Sequence, residues 1–220
     1  MTRFPAIPTP LRLLGTLALA GAAGIGTAHA GQTARSHIRL FGLVNHSNVV
    51  QSYRELWSET WKAGISREAI DSVGLGAGVE WPLGDRFSLG AEALLVRKGT
   101  ADIELDGWLR LRYVEVPVLL RMNLAGADDR AAVYLLGGAS LGLYLSGEQR
   151  ADGETDDVPE EAIGGNDMAL LLGAGLRLPL AGGLTPFAEV RLQEGLADIA
   201  QAGDVRYRNV GVAFVAGLRF

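Results

Sequence analysis

The chain has 220 residues, of which 48% are hydrophobic and 20% are charged, with 30 glycines, no cysteine and a formal net charge of −5. A chain of this length and composition can bury a full core, which excludes a miniprotein and a disordered tail. The lack of cysteine excludes disulfides, thiolate metal sites and a cysteine nucleophile, and the acidic balance argues against a nucleic-acid partner.

The first segment has the form of an export signal. Arg3 and Arg12 precede an uncharged run that ends in Ala28-His29-Ala30, a small-x-small cleavage pattern. The run is short for a stable membrane-spanning helix. We therefore expect residues 1–30 to be a cleaved signal peptide and residues 31–220 to be the exported domain; an uncleaved anchor is the alternative.

The exported part alternates between apolar residues and small or polar ones, which is the pattern of β-strands. A weaker first strand, from His37 to Asn45, brings the predicted number to eight. The other seven predicted strands occupy residues 72–81, 87–95, 113–122, 133–145, 168–178, 184–193 and 209–220.

The connections between these strands differ regularly in length. Short turns alternate with long loops, a pattern typical of barrels that span the outer membrane. We therefore predict an all-β fold, an eight-stranded antiparallel up-and-down transmembrane β-barrel in the outer membrane. A soluble periplasmic barrel is the alternative fold. The predicted turns are 82–85, 125–130 and 181–183, and the predicted loops are 46–70, 98–108, 146–167 and 194–206.

The polar face of the strands is predicted to line the lumen. It consists mainly of small residues, which suits the narrow interior of an eight-stranded barrel. Its charges nearly balance, as a closed interior requires, because an unpaired buried ion costs several kcal/mol. We expect a structural salt-bridge network, with a proton or ion pathway as the alternative. The charged residues of this face are Arg39, Glu80, Glu92, Glu115, Arg121, Arg177, Glu189, Arg191 and Arg219.

The last predicted strand carries apolar residues at alternate positions back from an aromatic one. Phe214, Leu218 and Phe220 are the main members of this series. The strand resembles the C-terminal signal of bacterial outer-membrane barrels. That resemblance implies recognition by the barrel-assembly machinery.

Three segments resemble a particular group of barrels. Tyr113-Val114-Glu115-Val116-Pro117 resembles the Tyr-Leu-Glu-Ile-Pro segment of the PorT-like outer-membrane β-barrel family. Residues 75–80 and 88–94, the latter followed by Lys98-Gly99, resemble the second and third strands of that family. The resemblance implies an outer-membrane barrel, and a role in secretion for those members that give the family its name.

The first predicted loop contains Tyr53, Trp57 and Trp61, whose spacing indicates a short amphipathic helix. These residues are candidates for binding a partner in the envelope or the lipid surface. A lid packed over the mouth of the barrel is the alternative. The same loop begins with His46 and Ser47, which would point to opposite faces of an extended strand and so could not form a catalytic pair.

The third predicted loop, 147–167, is strongly acidic. Asp152, Glu154 and Asp156 are spaced like the start of a calcium-binding loop, but Asp157 stands where that loop needs glycine. We therefore expect a solvated acidic loop, with a divalent-cation site as the alternative.

We predict no catalytic residue, no cofactor and no metal. The predicted function is structural or partner-binding, through the surface loops, in secretion or envelope assembly. The predicted partners are the outer-membrane bilayer, the assembly machinery and an envelope protein. A narrow pore or small-molecule transporter and a lipid-modifying enzyme are the alternatives.

Overall fold

The computed structural model describes residues 35–53, 67–102, 107–125, 131–151, 153–158, 166–180, 182–197 and 205–220. The chain divides into Met1–Ala34 and Arg35–Phe220, and all described residues belong to the second unit. The predicted signal peptide, Trp57 and Trp61 lie outside the described residues. No helix in the described ranges is both long enough and apolar enough to cross a membrane.

The described chain is built from nine β-strands. They are β1 (His37–Tyr53), β2 (Arg67–Pro82), β3 (Phe87–Asp102), β4 (Gly107–Ala125), β5 (Ala132–Ala151), β6 (Glu154–Asp157), β7 (Asn166–Arg177), β8 (Thr185–Gly195) and β9 (Val205–Arg219).

Eight of these strands close into one antiparallel barrel. Each barrel strand pairs with the next barrel strand along the chain, so β5 pairs with β7. The short strand β6 lies outside this closed order and pairs antiparallel with the end of β5. The barrel closes where β1 pairs with β9, from Arg39 opposite Arg219 to Tyr53 opposite Val205. Closure leaves no strand edge in the barrel wall. The predicted eight-stranded up-and-down barrel is confirmed.

The outer face of the barrel carries an apolar belt. Val73 and Leu75 are 76% and 74% exposed, and aliphatic and aromatic side chains from all eight barrel strands share this face. Water would disfavour such a surface, whereas lipid solvates it. The barrel therefore spans a bilayer, and barrels of this type belong to bacterial outer membranes. The alternative of a soluble barrel was wrong.

The strands extend beyond the belt at the end with the longer connections. There the outward residues become polar or charged, as at His46 on β1, Asp71 on β2 and Arg97 on β3. The prediction that β1 ends at Asn45 was wrong, and so was the placement of Tyr53 in a loop, since its backbone belongs to β1. The alternation weakens here because both faces of the sheet carry polar residues.

Two turns at the opposite end need glycine. Gly84 has a φ of +87°, and Gly182 and Gly183 have φ of +86° and +85°, which side chains with a Cβ rarely adopt. These turns lie within the predicted 82–85 and 181–183 connections.

Within the wall, β3 and β4 keep one register, but two residue pairs are missing between Ala91–Val118 and Leu94–Glu115. Pro117 lies in this interval and has no amide hydrogen to donate to a neighbouring strand. On its other side Pro117 stays in register with Ser140 of β5. The interruption is therefore confined to one side of β4.

Close approach of strands explains a glycine of the lumen face. A Cβ on Gly138 would overlap the carbonyl oxygen of Val118, whereas a Cβ on the outward Gly137 would meet first a methyl group of Leu172 at 3.3 Å. We expect Gly138→Ala to lower the free energy of unfolding by about 1–3 kcal/mol, because the backbone of β4 must shift.

Denaturant unfolding of the detergent-folded barrel measures this difference. Gly137→Ala is the matched control and is expected to stay within about 0.5 kcal/mol of the parent, since a lipid-facing methyl end can rotate away. Equal losses in the two variants would contradict the packing argument.

Candidate functional site

Among the described residues, the lumen holds two groups of buried charged side chains. The larger one lies near the short turns and is called the basal cluster. Its charged side chains are all at most 5% exposed. The basal cluster consists of Arg39, Glu80, Glu92, Arg121, Arg177, Glu189, Arg191 and Arg219.

Glu189 on β8 is one centre of the basal cluster. Its Oε1 accepts hydrogen bonds from Arg39 Nη2 at 2.6 Å, Arg121 Nε at 3.2 Å and Tyr134 Oη at 2.7 Å. Its Oε2 accepts from Arg191 Nε at 2.8 Å and also from Arg191 Nη2. These donors come from β1, β4, β5 and β8, so one carboxylate ties together four strands of the barrel.

Glu92 on β3 is the second centre. It accepts hydrogen bonds from Arg39 Nη1 at 3.1 Å, Arg121 Nη2 at 2.6 Å and Arg191 Nη1 at 2.7 Å. Arg39, Arg121 and Arg191 thus contact both Glu92 and Glu189. Charge-assisted bonds of this kind are among the stronger hydrogen bonds in proteins, and together they span the lumen from wall to wall.

Glu80 on β2 lies at one edge of the basal cluster, beside Arg219 at the end of β9. Its Oε1 accepts from Arg219 Nη1 at 3.2 Å and from Ser88 Oγ at 3.1 Å, and Arg177 Nη1 lies 3.8 Å from it. The basal cluster joins five arginines to three glutamates. Aromatic rings take up part of the excess positive charge, since the guanidinium carbon of Arg39 lies 3.9 Å from the centre of the Phe187 ring.

The second group lies toward the long connections and is called the distal cluster. Lys98 Nζ contacts Glu115, and it donates to Asp167 Oδ2 at 2.9 Å. Asn209 Nδ2 donates to the same Asp167 oxygen at 2.9 Å, and Gln193 Nε2 donates to Glu115 Oε1 at 3.0 Å. Lys98, Asp167 and Asn209 are each 1% exposed. In the distal cluster, Lys98 contacts both carboxylates, and Asn209 and Gln193 each donate to one of them.

The predicted lumen residues divide between these two groups. Eight of the nine lie in the basal cluster, whereas Glu115 belongs to the distal cluster and is separated from Glu189. The sequence reasoning missed Lys98, and it placed Asp167 in the acidic loop although Asp167 points into the lumen from β7. The period of two that runs through Glu92, Leu94 and Val96 could have identified Lys98 as an inward residue.

Apolar side chains fill the space between the clusters. Leu43, Leu94, Leu171 and Val215 are all buried and surround a void of about 20 Å³. A void of this size holds about one water molecule. Packed side chains therefore occupy the lumen between the two clusters.

The remaining predicted sites lie elsewhere. His46 faces outward and contacts Asp71 with 2.7 Å between Nδ1 and Oδ1, whereas Ser47 faces inward and accepts from the Gly99 amide at 3.2 Å. The acidic residues Glu154, Asp156 and Asp157 lie on the exposed strand β6. Within the described ranges, no group of three or more His, Asp or Glu side chains is arranged to hold a metal ion.

The residues of the predicted assembly signal lie on β9 and just after it. Phe214, Leu218 and Phe220 are 58%, 38% and 51% exposed on the outer face. The Phe220 amide donates to the carbonyl oxygen of Ile38 at 2.9 Å, and the Ile38 amide donates back at 3.2 Å. The three side chains therefore belong to the lipid-facing belt beside the closing seam.

The sequence matches no family model and no curated protein. Among solved structures, the outer membrane protein OprG from Pseudomonas aeruginosa is similar with a TM-score of 0.51 at 13% identity, over 86% of this chain and 96% of OprG. Neisserial surface protein A is similar with a TM-score of 0.49 at 11% identity, over 84% and 95%. Ail from Yersinia pestis is similar with a TM-score of 0.42 at 15% identity, over 84% and 99%.

These similarities are too low in identity to carry a function from one protein to another. The similarity to OprG shows a shared fold. Together with the closed strand order and the apolar belt, it identifies this chain as an outer-membrane β-barrel.

Proposed function

We propose that the protein is a non-conducting, non-enzymatic scaffold of the outer membrane that presents its long connections to a protein partner in the envelope. The observation that carries this proposal is the basal cluster, in which three arginines and two glutamates bridge the lumen with bonds of 2.6–3.2 Å. A pore needs a polar passage that water can fill, and this barrel has ion pairs and aliphatic side chains in its place.

Planar-bilayer recording tests the proposed closure. The purified barrel is expected to give no steady ion conductance, because Arg39, Arg121 and Arg191 all bridge Glu92 and Glu189 across the lumen. The double variant Glu92→Ala/Arg191→Ala removes bulk and every bridge to Glu92, and serves as a positive control for detecting an opened lumen. Steady conductance in the parent protein would overturn the scaffold proposal in favour of the pore.

The proposed partner-binding elements are the first and third of the long connections, and the first includes the segment with Trp57 and Trp61 that follows Tyr53. Two features support this role. The barrel wall continues beyond the apolar belt toward these connections, and the resemblance to PorT-like barrels implies an envelope or secretion task. The proposed partner is therefore a protein of the envelope or of a secretion system.

Replacing connections tests which of them bind the partner. Residues 54–66 and 159–165 are replaced by short Gly-Ser segments, and residues 103–106 and 198–204 are replaced in a control protein. In-cell crosslinking to a defined envelope protein is expected to disappear only in the first variant. Unchanged crosslinking in the first variant would contradict the assignment.

We further propose that Phe214, Leu218 and Phe220 form the signal read by the assembly machinery. Phe220→Ala is expected to lower the amount of folded, heat-modifiable protein in the outer membrane several-fold. The refolded, purified variant should remain close in stability to the parent, since the Phe220 side chain is half-exposed to lipid. Phe87→Ala, a lipid-facing change at 40% exposure on β3, is the control. An equal fall in both variants would contradict a specific signal.

A further inference from the structure

An exposed group of arginines occupies the outer wall of β3 and β4. Arg97 lies between Val96 and Lys98, which are 4% and 1% exposed and point into the lumen, so Arg97 points outward. The same argument places Arg112 outward between two fully buried neighbours, and Arg110 is exposed two residues away. We call Arg97, Arg110 and Arg112 the basic patch.

The register places like charges directly opposite one another in the basic patch. Arg97 of β3 and Arg112 of β4 are cross-strand partners, and Arg110 is opposite Gly99. Like charges in directly opposed positions destabilise a sheet. An arrangement of this kind is expected where an anion lies between the side chains and offsets their repulsion.

Few protein groups neutralise the basic patch. Among the described residues, no ion pair joins Arg97 to an acidic side chain. Arg110 lies opposite Glu148 in the β4–β5 register, and its guanidinium carbon packs 4.2 Å from the centre of the Trp108 ring. Arg112 has one acidic neighbour, Glu148, with 3.7 Å between Nη2 and Oε1, and both side chains are 45% exposed. The patch therefore retains a net positive charge.

The basic patch adjoins the lipid-facing belt. The next outward pair along β3 and β4 is Leu95 opposite Val114, and Leu95 is 52% exposed. Two residues along a strand cover about 7 Å, so the guanidinium groups lie at the level where hydrocarbon gives way to headgroups.

We propose that the basic patch binds the phosphate of an anionic lipid headgroup in the outer leaflet. The planar guanidinium groups offer paired donors that fit phosphate oxygens. The acyl chains of the same lipid would lie against Leu95 and Val114. The long connections mark this side of the barrel as the outer one. This lipid site is separate from the long connections to which the partner-binding function is assigned.

Native mass spectrometry of the full barrel in neutral detergent tests the proposal. The parent protein is expected to bind phosphatidic acid at least about tenfold more tightly than phosphatidylcholine, since each basic residue near a headgroup adds to the attraction. Arg97→Gln/Arg112→Gln is expected to remove this preference. Arg86→Gln/Arg208→Gln, with the same change in charge elsewhere on the surface, should retain it.

Inorganic phosphate separates a lipid site from a free-anion site. At millimolar concentration it is expected to leave phosphatidic acid bound. Displacement of the lipid by inorganic phosphate alone would overturn the lipid assignment, as would unchanged lipid preference in Arg97→Gln/Arg112→Gln or an equal loss in the control.

Thermal unfolding gives a second readout that a merely structural role would not reproduce. In neutral detergent, Arg97→Gln is expected to raise the melting temperature slightly, because it relieves repulsion from Arg112. With phosphatidic acid present, the parent is expected to become the more stable of the two. The same order of stability in both conditions would contradict the proposal.

Discussion

Glu189→Gln is expected to lower the free energy of unfolding by about 3–5 kcal/mol, as measured by denaturant unfolding of the detergent-folded barrel. Glu189 accepts bonds from Arg39, Arg121, Arg191 and Tyr134 in a fully enclosed site. Glutamine keeps the shape of the side chain but removes the charge. One of its two polar atoms is an NH2 group, which would face the N–H and O–H donors of this site instead of accepting from them.

Glu194→Gln is the matched control on the same strand. Glu194 is 47% exposed, and its carboxylate lies 3.5 Å from Arg208 Nη1 on the outer face. Exposed pairs of this kind contribute about 0–1 kcal/mol, so a small change is expected. If Glu189→Gln lowers the free energy of unfolding no more than the control does, the buried bonds of the basal cluster do not stabilise the barrel in the way described.

Lys98→Met is expected to cost a similar amount, about 3–5 kcal/mol, for the opposite reason. The variant removes the only cation that contacts Glu115 and Asp167 in the described distal cluster, and leaves two carboxylates enclosed without a counter-charge. Urea unfolding followed by gel mobility measures the loss.

Neutralising the carboxylates as well provides the decisive comparison for Lys98→Met. The triple variant Lys98→Met/Glu115→Gln/Asp167→Asn is expected to recover most of the lost stability, because replacing every member of a buried ion group is often nearly neutral. Arg97→Gln, the adjacent outward residue, should change stability by less than about 1 kcal/mol in neutral detergent. Failure of the triple variant to recover would show that Lys98 acts through packing and not through charge.

The sequence predicted the faces of the strands well, because lipid and lumen impose opposite requirements on alternate residues. Val73 and Leu75 lie on the outer face as expected, and Glu189 and Arg191 on the inner one. This contrast holds only within the height of the bilayer. Beyond it both faces tolerate polar residues, which is why the end of β1 at Tyr53 was not predicted.

The grouping of the lumen charges could not be predicted from the sequence. Alternation gives the face of Glu115 but not its height along the barrel, which depends on the stagger between strands. In the structure Glu115 contacts Lys98, whereas the lumen arginines pair with Glu80, Glu92 and Glu189. Asp167 was assigned to the acidic loop because acidic residues precede it in the chain, and its partners Lys98 and Asn209 are distant in sequence.

The extension of the strands beyond the apolar belt determines how far from the lipid a partner is met. From His46 to Tyr53, β1 continues as paired sheet. With a rise of about 3.3 Å per residue and a tilt of about 40°, this stretch lifts its end roughly 20 Å above the hydrocarbon boundary. A partner anchored in the same membrane would need a domain that rises to the same height, whereas a partner arriving from outside the cell could engage the rim without touching lipid.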